Sequence, residues 1–354
     1  MEPVDLAGVR ARVDAVLNEF LDGRARTAAS GHLPAEVAES VKTFLGAGGK
    51  RLRPVLCVTG WHAAGGEGDM APLVKAAASL EMFHAFALIH DDVMDHSATR
   101  RGQPTVHRSL TSRHASGRSA LAAKQVGAGA AILIGDMALS WSDELLHTAG
   151  LTDGQLRAVL PLVAAMREEV MYGQYLDLTS TGRPSADVER AMRIVRYKTA
   201  SYTVERPLHI GATLAGAETC LLDELSAFAL PVGEAFQLRD DLLGVYGHPA
   251  QTGKPCLDDL REGKHTVLVA LALRYADSNQ QRTLHTLLGK QGLTAEQADC
   301  LRQVLSETGA RQAVEDLINA RLEQAEQALV HSSLPADTAG VLRYLARAAT
   351  RRAS

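Results

Sequence analysis

Apolar residues recur at spacings of three and four along almost the whole chain, and that periodicity admits helices and little else. Between Val4 and Phe20, the residues Leu6, Val9, Val13, Val16, Leu17 and Phe20 form one stripe. Pro72 to Asp95 is longer and more apolar, with Leu73, Ala77, Leu80, Phe83, Ala87, Ile89 and Met94, and reads as a buried helix. Further helical stretches are predicted near 120–148, 153–179, 187–203, 221–246, 264–277, 294–307, 310–331 and 335–350. Ala, Leu, Glu and Arg, all good helix formers, are abundant. No sustained alternation marks a strand, and no hairpin signal is found. Glycine and proline clusters around 46–49, 65–68, 97–117 and 247–263 punctuate the helices. No linker or internal repeat divides the 354 residues, so residues 1–354 are expected to form a single all-α helical bundle.

Composition excludes several functions. Lys and Arg number 37 against 41 Asp and Glu, a net charge of -4 that argues against a general nucleic-acid binder. Cys57, Cys220, Cys256 and Cys300 lie far apart with no CxxC, which excludes a zinc ribbon or a thioredoxin motif and fits a reducing compartment. The N-terminus carries acids early and lacks the apolar core of a secretory leader. The best membrane candidate, Gly127 to Leu139, contains Asp136 and falls short of the roughly 20 apolar residues a span requires. A cytoplasmic protein without a membrane anchor is expected.

The most apolar helix ends in Leu88-Ile89-His90-Asp91-Asp92-Val93-Met94-Asp95. Asp91 and Asp95 share a helix face about 6 Å apart along the axis, where like charges repel. Asp is a poor helix former and opposes the macrodipole at a C-terminus. Three local preferences are broken at one place, as happens at functional sites. A divalent cation would relieve the repulsion, and oxygen ligands favour Mg²⁺ over zinc. Taken alone, the cluster also fits a solvated acidic helix end. Phe236-Gln237-Leu238-Arg239-Asp240-Asp241-Leu242-Leu243-Gly244 repeats the pattern, with adjacent acids interrupting a core-like helix. In an all-helical fold, the two clusters could face each other across a cavity.

Basic motifs accompany the acids. Arg100 and Arg101 follow the first cluster within Thr99-Arg100-Arg101-Gly102-Gln103-Pro104, and guanidinium forks bind phosphate oxygens well. Gly48-Gly49-Lys50-Arg51-Leu52-Arg53-Pro54 is not a P-loop, because no Ser or Thr follows the Lys and no strand precedes it. Lys50 and Arg53 are expected to share a face at a helix start, where free N–H groups favour an anion. Lys198-Thr199 lies in a helical stretch, and Lys254 and Lys264 bracket the late loop. His84 lies seven residues before Asp91, on nearly the same face, as either a site residue or a core histidine. Gly127-Ala128-Gly129 lacks a third glycine and reads as close helix packing rather than a dinucleotide fingerprint.

The segments GGKRLRP, LIHDDVMD, TRRGQPTVH, YKTA, FQLRDDLLG and GKP…EGK, in this order, closely resemble the trans-isoprenyl diphosphate synthase family, and within it bacterial geranylgeranyl diphosphate synthases. The resemblance runs from about Gly48 to Thr266. It implies an all-α fold around a deep central cavity, a homodimer, and head-to-tail condensation of isopentenyl diphosphate with an allylic diphosphate. It implies that Asp91 and Asp95 bind two Mg²⁺ ions and Asp240 a third, supported by Asp92 and Asp241. Arg100, Lys198, Lys254 and Lys264 would grip the allylic diphosphate. Lys50, Arg53, His84 and Arg101 would grip isopentenyl diphosphate. Thr199 and Gln237 would line the reacting carbons.

Product length is expected to be set on the helix before Asp91. Phe86 five residues upstream, with the small Ala87 at four and Phe83 at eight, resembles the pattern of a C20 stop. Geranylgeranyl diphosphate is therefore the expected product, with farnesyl or longer diphosphates as alternatives. A class I terpene cyclase and a non-catalytic subunit of a heteromeric synthase are remoter readings, since Asp240-Asp241 and GGKRLRP suit neither. The chain departs from the family pattern at His96, His248, Leu257 and Gly244, the last standing where many members carry a third Asp.

Overall fold

The computed structural model describes residues Asp5–Gly247 and Asp258–Thr350. Within these the chain is all-α, apart from loops and one small hairpin. Contacts divide it into two compact units: residues up to Leu160 together with Ile210–Ala217, and Pro161–His209 together with Glu218 onward.

The first unit contains α1 (Leu6–Ser30), α2 (Glu36–Gly46), α3 (Leu52–Ala63), α4 (Ala71–Met94), β1 (Thr99–Arg100), β2 (Gln103–Pro104), α5 (Val106–Arg113), α6 (Ala120–His147) and the start of α7 (Asp153–Ser180). Pro72 opens α4, where a missing N–H costs nothing. This helix is apolar on every side and packs on α1, α3 and α6. By length and composition it could cross a membrane, yet most of its apolar window is buried within the protein, as in a core helix. Phe83, Leu80, Met82 and Ile89 are among its fully buried side chains, each worth about 1.5–3 kcal/mol of burial. Gly127 of α6 lets α5 approach closely, since a Cβ there would lie 2.1 Å from Oγ1 of Thr111 and 2.6 Å from the His107 carbonyl.

The second unit contains the rest of α7, α8 (Val188–Ile194), a π-helical stretch (Val195–Glu205), the start of α9 (Arg206–Leu214), α10 (Thr219–Tyr246), α11 (Asp258–Glu262), α12 (Val267–Tyr275), α13 (Ser278–Leu287), α14 (Ala295–Glu307), α15 (Ala310–His331) and α16 (Ala336–Thr350). Leu238, Leu242 and Val245 of α10 join Leu268, Leu301, Val314 and Ile318 in one core cluster. Reciprocal capping boxes, Asp277 with Gln280 and Thr294 with Gln297, start α13 and α14.

The sequence periodicity located the long helices but not all elements. The first helix runs on to Ser30, α2 and α13 carried no prediction, and the expected helix near 187–203 passes into a π-helix at Val195. The polar segment 97–117 conceals α5, which buries only Val106, His107 and Leu110, too few for a periodic signal. It also conceals an antiparallel hairpin pairing Thr99 with Pro104 and Arg100 with Gln103. The two residues at its tip, Arg101 (φ 53°) and Gly102 (φ 73°), both take positive φ, as a primed two-residue turn demands. Arg-Gly is a weak form of the Asn-Gly signal, so the turn is hard to read from sequence.

Candidate active site

The first acidic motif closes α4. Asp95 caps the helix and donates its N–H to the Asp91 carbonyl at 2.8 Å, so both acids stay on one face. His96 then turns into the left-handed region (φ 54°), and the Ser97 N–H reaches back to the Asp92 carbonyl at 3.0 Å. Asp92 is only 1% exposed. Arg100, carried by the hairpin, donates its Nε–H to both Asp92 oxygens at 2.9 Å, and its Nη2 reaches Asp91 at 3.1 Å. Burial opposes the Arg100 charge, but Asp92, then Asp91 and Asp95, more than offset this and hold its pKa above the usual guanidinium value. The two middle acids thus have unlike surroundings, Asp92 a buried anchor and Asp91 a more open carboxylate.

The basic loop stands beside this motif. Gly48 (φ 94°) and Gly49 (φ 153°) adopt backbone that suits glycine, and Arg51 follows at φ 48° as the N-cap of α3. Lys50 therefore precedes the helix, so the expected shared helix face with Arg53 is not formed. Arg51 is buried and fastens the loop: Nε donates to Asp14 at 2.7 Å, Nη1 to Glu81 at 2.9 Å and Nη2 to the Leu45 carbonyl at 2.8 Å. Arg101 donates to the Gly48 carbonyl and lies 5.9 Å from the Phe44 ring centroid. Burial, then Arg53, Arg101, Arg100 and Arg51, hold the His84 pKa well below the ordinary histidine value. His84 is thus a neutral imidazole among four guanidinium groups. Burial also lowers the Arg101 pKa, with Glu81 opposing and the neighbouring Arg51, Arg100 and Arg53 reinforcing the shift.

In the second unit, Lys198 and Thr199 sit on the π-helical stretch. Such wide turns are frequent at functional sites. Two glycines make room for it: a Cβ at Gly173 would lie 2.3 Å from the Lys198 nitrogen, and one at Gly233 would lie 2.4 Å from the Ala200 Cα. Lys198 Nζ pairs with Asp177 at 2.6 Å. Thr199 donates to the Gln237 carbonyl oxygen at 2.6 Å, and the Gln237 amide donates to Asp241 at 2.7 Å. Burial, with Asp259, Asp240 and Asp177 nearby, pushes the Asp241 pKa up to about 8 against the pull of the Gln237 hydrogen bond. Lys264 Nζ lies 3.3 Å from Glu262 and 3.6 Å from Asp259. Positive-φ Gly182, Gly263 and Gly289 meet beneath that loop, with the Gly182 N–H donating to the Gly263 carbonyl at 3.0 Å.

A model of the family described as polyprenyl synthetase matches residues 34–307. The chain belongs to the polyprenyl synthetase family. This polyprenyl synthetase is 31% identical over 261 residues to the geranylgeranyl diphosphate synthase of Saccharolobus solfataricus, covering 73% of each chain. It is 33% identical over 295 residues to the geranylfarnesyl diphosphate synthase of Aeropyrum pernix, covering 82% of this chain and 85% of that one. A crystal structure of the geranylgeranyl pyrophosphate synthase from Corynebacterium glutamicum, complexed with isoprenyl diphosphate and magnesium, matches with a TM-score of 0.94 at 38% identity, covering 99% of this chain and 100% of that one. The enzyme class follows: a transferase of prenyl groups, a trans-prenyl diphosphate synthase close to the geranylgeranyl enzymes.

Several predicted positions of the polyprenyl synthetase gain partners the sequence could not name. Asp177 pairs with Lys198 and Glu81 with Arg51 of the GGKRLRP segment, and neither acid carried a sequence signal, because its partner is distant along the chain. Phe83 and Phe86 are buried with ring centroids 5.3 Å apart, and Ala87 is half-buried. Lys254, His248 and Leu257 lie outside the described residues. The Gly244 departure has a steric counterpart, since a Cβ there would lie 2.0 Å from Oδ2 of Asp259.

The donor set fits Mg²⁺. Asp91 and Asp95 in the first unit, and Asp240 in the second, each offer only hard oxygen ligands. Among the described residues, no three His, Cys, Asp or Glu side chains form a ready-made metal cluster.

Proposed function

We propose that this prenyltransferase condenses isopentenyl diphosphate head-to-tail with allylic diphosphates of five to fifteen carbons, giving chiefly geranylgeranyl diphosphate. The observation that supports the reading is that Arg51, Arg53, Arg100 and Arg101 all lie near a neutral His84, with Arg100 also reaching Asp91, in a chain of net charge -4. Burial is the main cause of the lowered Arg101 pKa, and Arg51, Arg100 and Arg53 add to it against Glu81, so the group lies in a buried, cation-rich setting. A polyanion such as a diphosphate would suit that setting.

In this reading Mg²⁺ bound by Asp91, Asp95 and Asp240 would draw negative charge from the departing allylic diphosphate. Arg100, Lys198, Lys264 and Lys254 hold that diphosphate. Asp177 holds the Lys198 side chain in place through the 2.6 Å ion pair. Lys50, Arg53, Arg101 and His84 hold isopentenyl diphosphate, with neutral His84 able to donate one hydrogen bond to a phosphate oxygen. The fixed cations stabilise the leaving group as its bond to carbon breaks. The isopentenyl double bond then attacks the allylic cation, and a proton is lost to the departed diphosphate. Apolar walls keep out the water that would quench the cation. Thr199 and Gln237, locked to one another, line the reacting carbons. The Phe83 and Phe86 rings close the channel at about twenty carbons.

The test is incubation of pure protein with Mg²⁺, isopentenyl diphosphate and each of the C5, C10 and C15 primers, with products identified by mass spectrometry. A C20 diphosphate is expected. A C15 or longer diphosphate would retain the chemistry and overturn the floor. A cyclised hydrocarbon, or no product from any primer, would overturn the reading.

A further inference from the structure

The His90 ring touches two things that matter to each other. On its own helix it meets Phe86, one turn earlier, with ring centroids 4.7 Å apart in an edge-on arrangement at 62°. Phe86 in turn meets Phe83. On the neighbouring α6, the ring lies over Gly135, where any Cβ would fall 2.3 Å from both Cδ2 and Nε2 of His90. Its Nε2 lies 3.0 Å from the Ile132 carbonyl and 3.6 Å from Oδ1 of Asp136. The carbonyl can only accept, so Nε2 carries the proton and the ring orientation is fixed.

We propose that His90 is a positioning residue for product length: seated in the space left by Gly135 and tied to the Ile132 carbonyl, it sets where the Phe86 ring stands. The proposal rests on the reading of Phe86 as the channel floor. Helical spacing gives the physical reason. Phe86 and His90 are four apart and share a face, whereas Phe86 is turned about 140° from Asp91. The floor ring is therefore braced from the α6 side by its neighbour one turn on, independently of the acid motif. Removing the brace frees Phe86 to move, and adding a methyl at position 135 pushes the brace out of place.

The experiment measures the product distribution of the full-length protein and of Phe86→Ala, His90→Ala, Gly135→Ala and the double variant Gly135→Ala with His90→Ala. Phe86→Ala should lengthen the product. His90→Ala should change the ratio of longer product to main product by about tenfold, the size expected when one small group is lost from an apolar pocket. Gly135→Ala should shift that ratio as well, and in the double variant the added methyl should have no further effect, because the ring it displaces is gone. A ratio unchanged by His90→Ala and Gly135→Ala, while Phe86→Ala lengthens the product, overturns the role of His90 and leaves the floor standing. No lengthening in Phe86→Ala overturns the floor, and His90 with it. Gly135→Ala displaces only the end of a side chain, so it carries the test alone if circular dichroism shows His90→Ala unfolded.

Discussion

The carboxylate of Asp259 occupies the volume that a side chain at position 244 would need, with Oδ2 only 2.0 Å from where a Cβ would stand. The glycine that ends the second acidic motif is thus matched to an acid arriving from α11, and that acid adds to the field raising the Asp241 pKa. Gly244→Ala should cost about 1–3 kcal/mol, as overpacking does. It should also lower turnover by moving Asp259 and its neighbour Lys264. Gly244→Asp, which adds like charge, should do worse. An unchanged melting temperature in both variants would contradict the steric match.

Asp91 and Asp92 are adjacent, and their substitutions should separate activity from stability. Asp91→Ala should leave helicity and melting nearly intact while lowering turnover by at least about 100- to 1,000-fold, the scale of losing one strong transition-state contact. Asp92→Ala leaves the buried Arg100 without its main partner and should cost about 3–5 kcal/mol. Paired melting curves and initial rates check both outcomes. Substantial turnover by Asp91→Ala would refute its metal role.

Gly173 faces backbone rather than a movable side chain, so its replacement has no soft escape. Gly173→Ala should push the π-helical stretch away and disturb Lys198 and Thr199 together. The expected result is a loss of stability of about 1–3 kcal/mol with a fall in kcat. Calorimetry and steady-state rates would show this, and wild-type values for both would exclude the close approach.

Acid should weaken the protein in a definite window. Burial, then Arg108 and His96, lower the His107 pKa from 6.5 to about 4, and His84 shifts in the same direction. Between those pH values the unfolded chain binds more protons, so stability falls as pH drops from 6.5 toward 4. His107→Gln should flatten the dependence of melting temperature on pH across this interval. An unaltered slope would show that His107 is not buried in its neutral form.

The long helices and both acid motifs were readable in the sequence because periodicity and local charge conflicts are local properties. The partners of the site residues were not. Asp177 and Lys198, or Arg51 and Glu81, are ordinary charges until the fold brings them together. The wide π turn cannot be inferred from Tyr197-Lys198-Thr199 alone, since it depends on Gly173 and Gly233 standing opposite. His96 and Arg101 are left-handed without being glycine, so the usual turn signal was missing at both. Gly244 read as a deficit because the space it leaves is filled from fifteen residues further on.

The hairpin that carries Arg100 and Arg101 leaves no slack between two neighbouring cations with separate tasks. One is committed to Asp92 and the other to the Gly48 carbonyl. Inserting or deleting a single codon between Ser97 and Arg100 should uncouple both contacts at once, since each arginine would leave its present place on the hairpin. Descendants of this chain can therefore vary the letters of that segment more readily than its length.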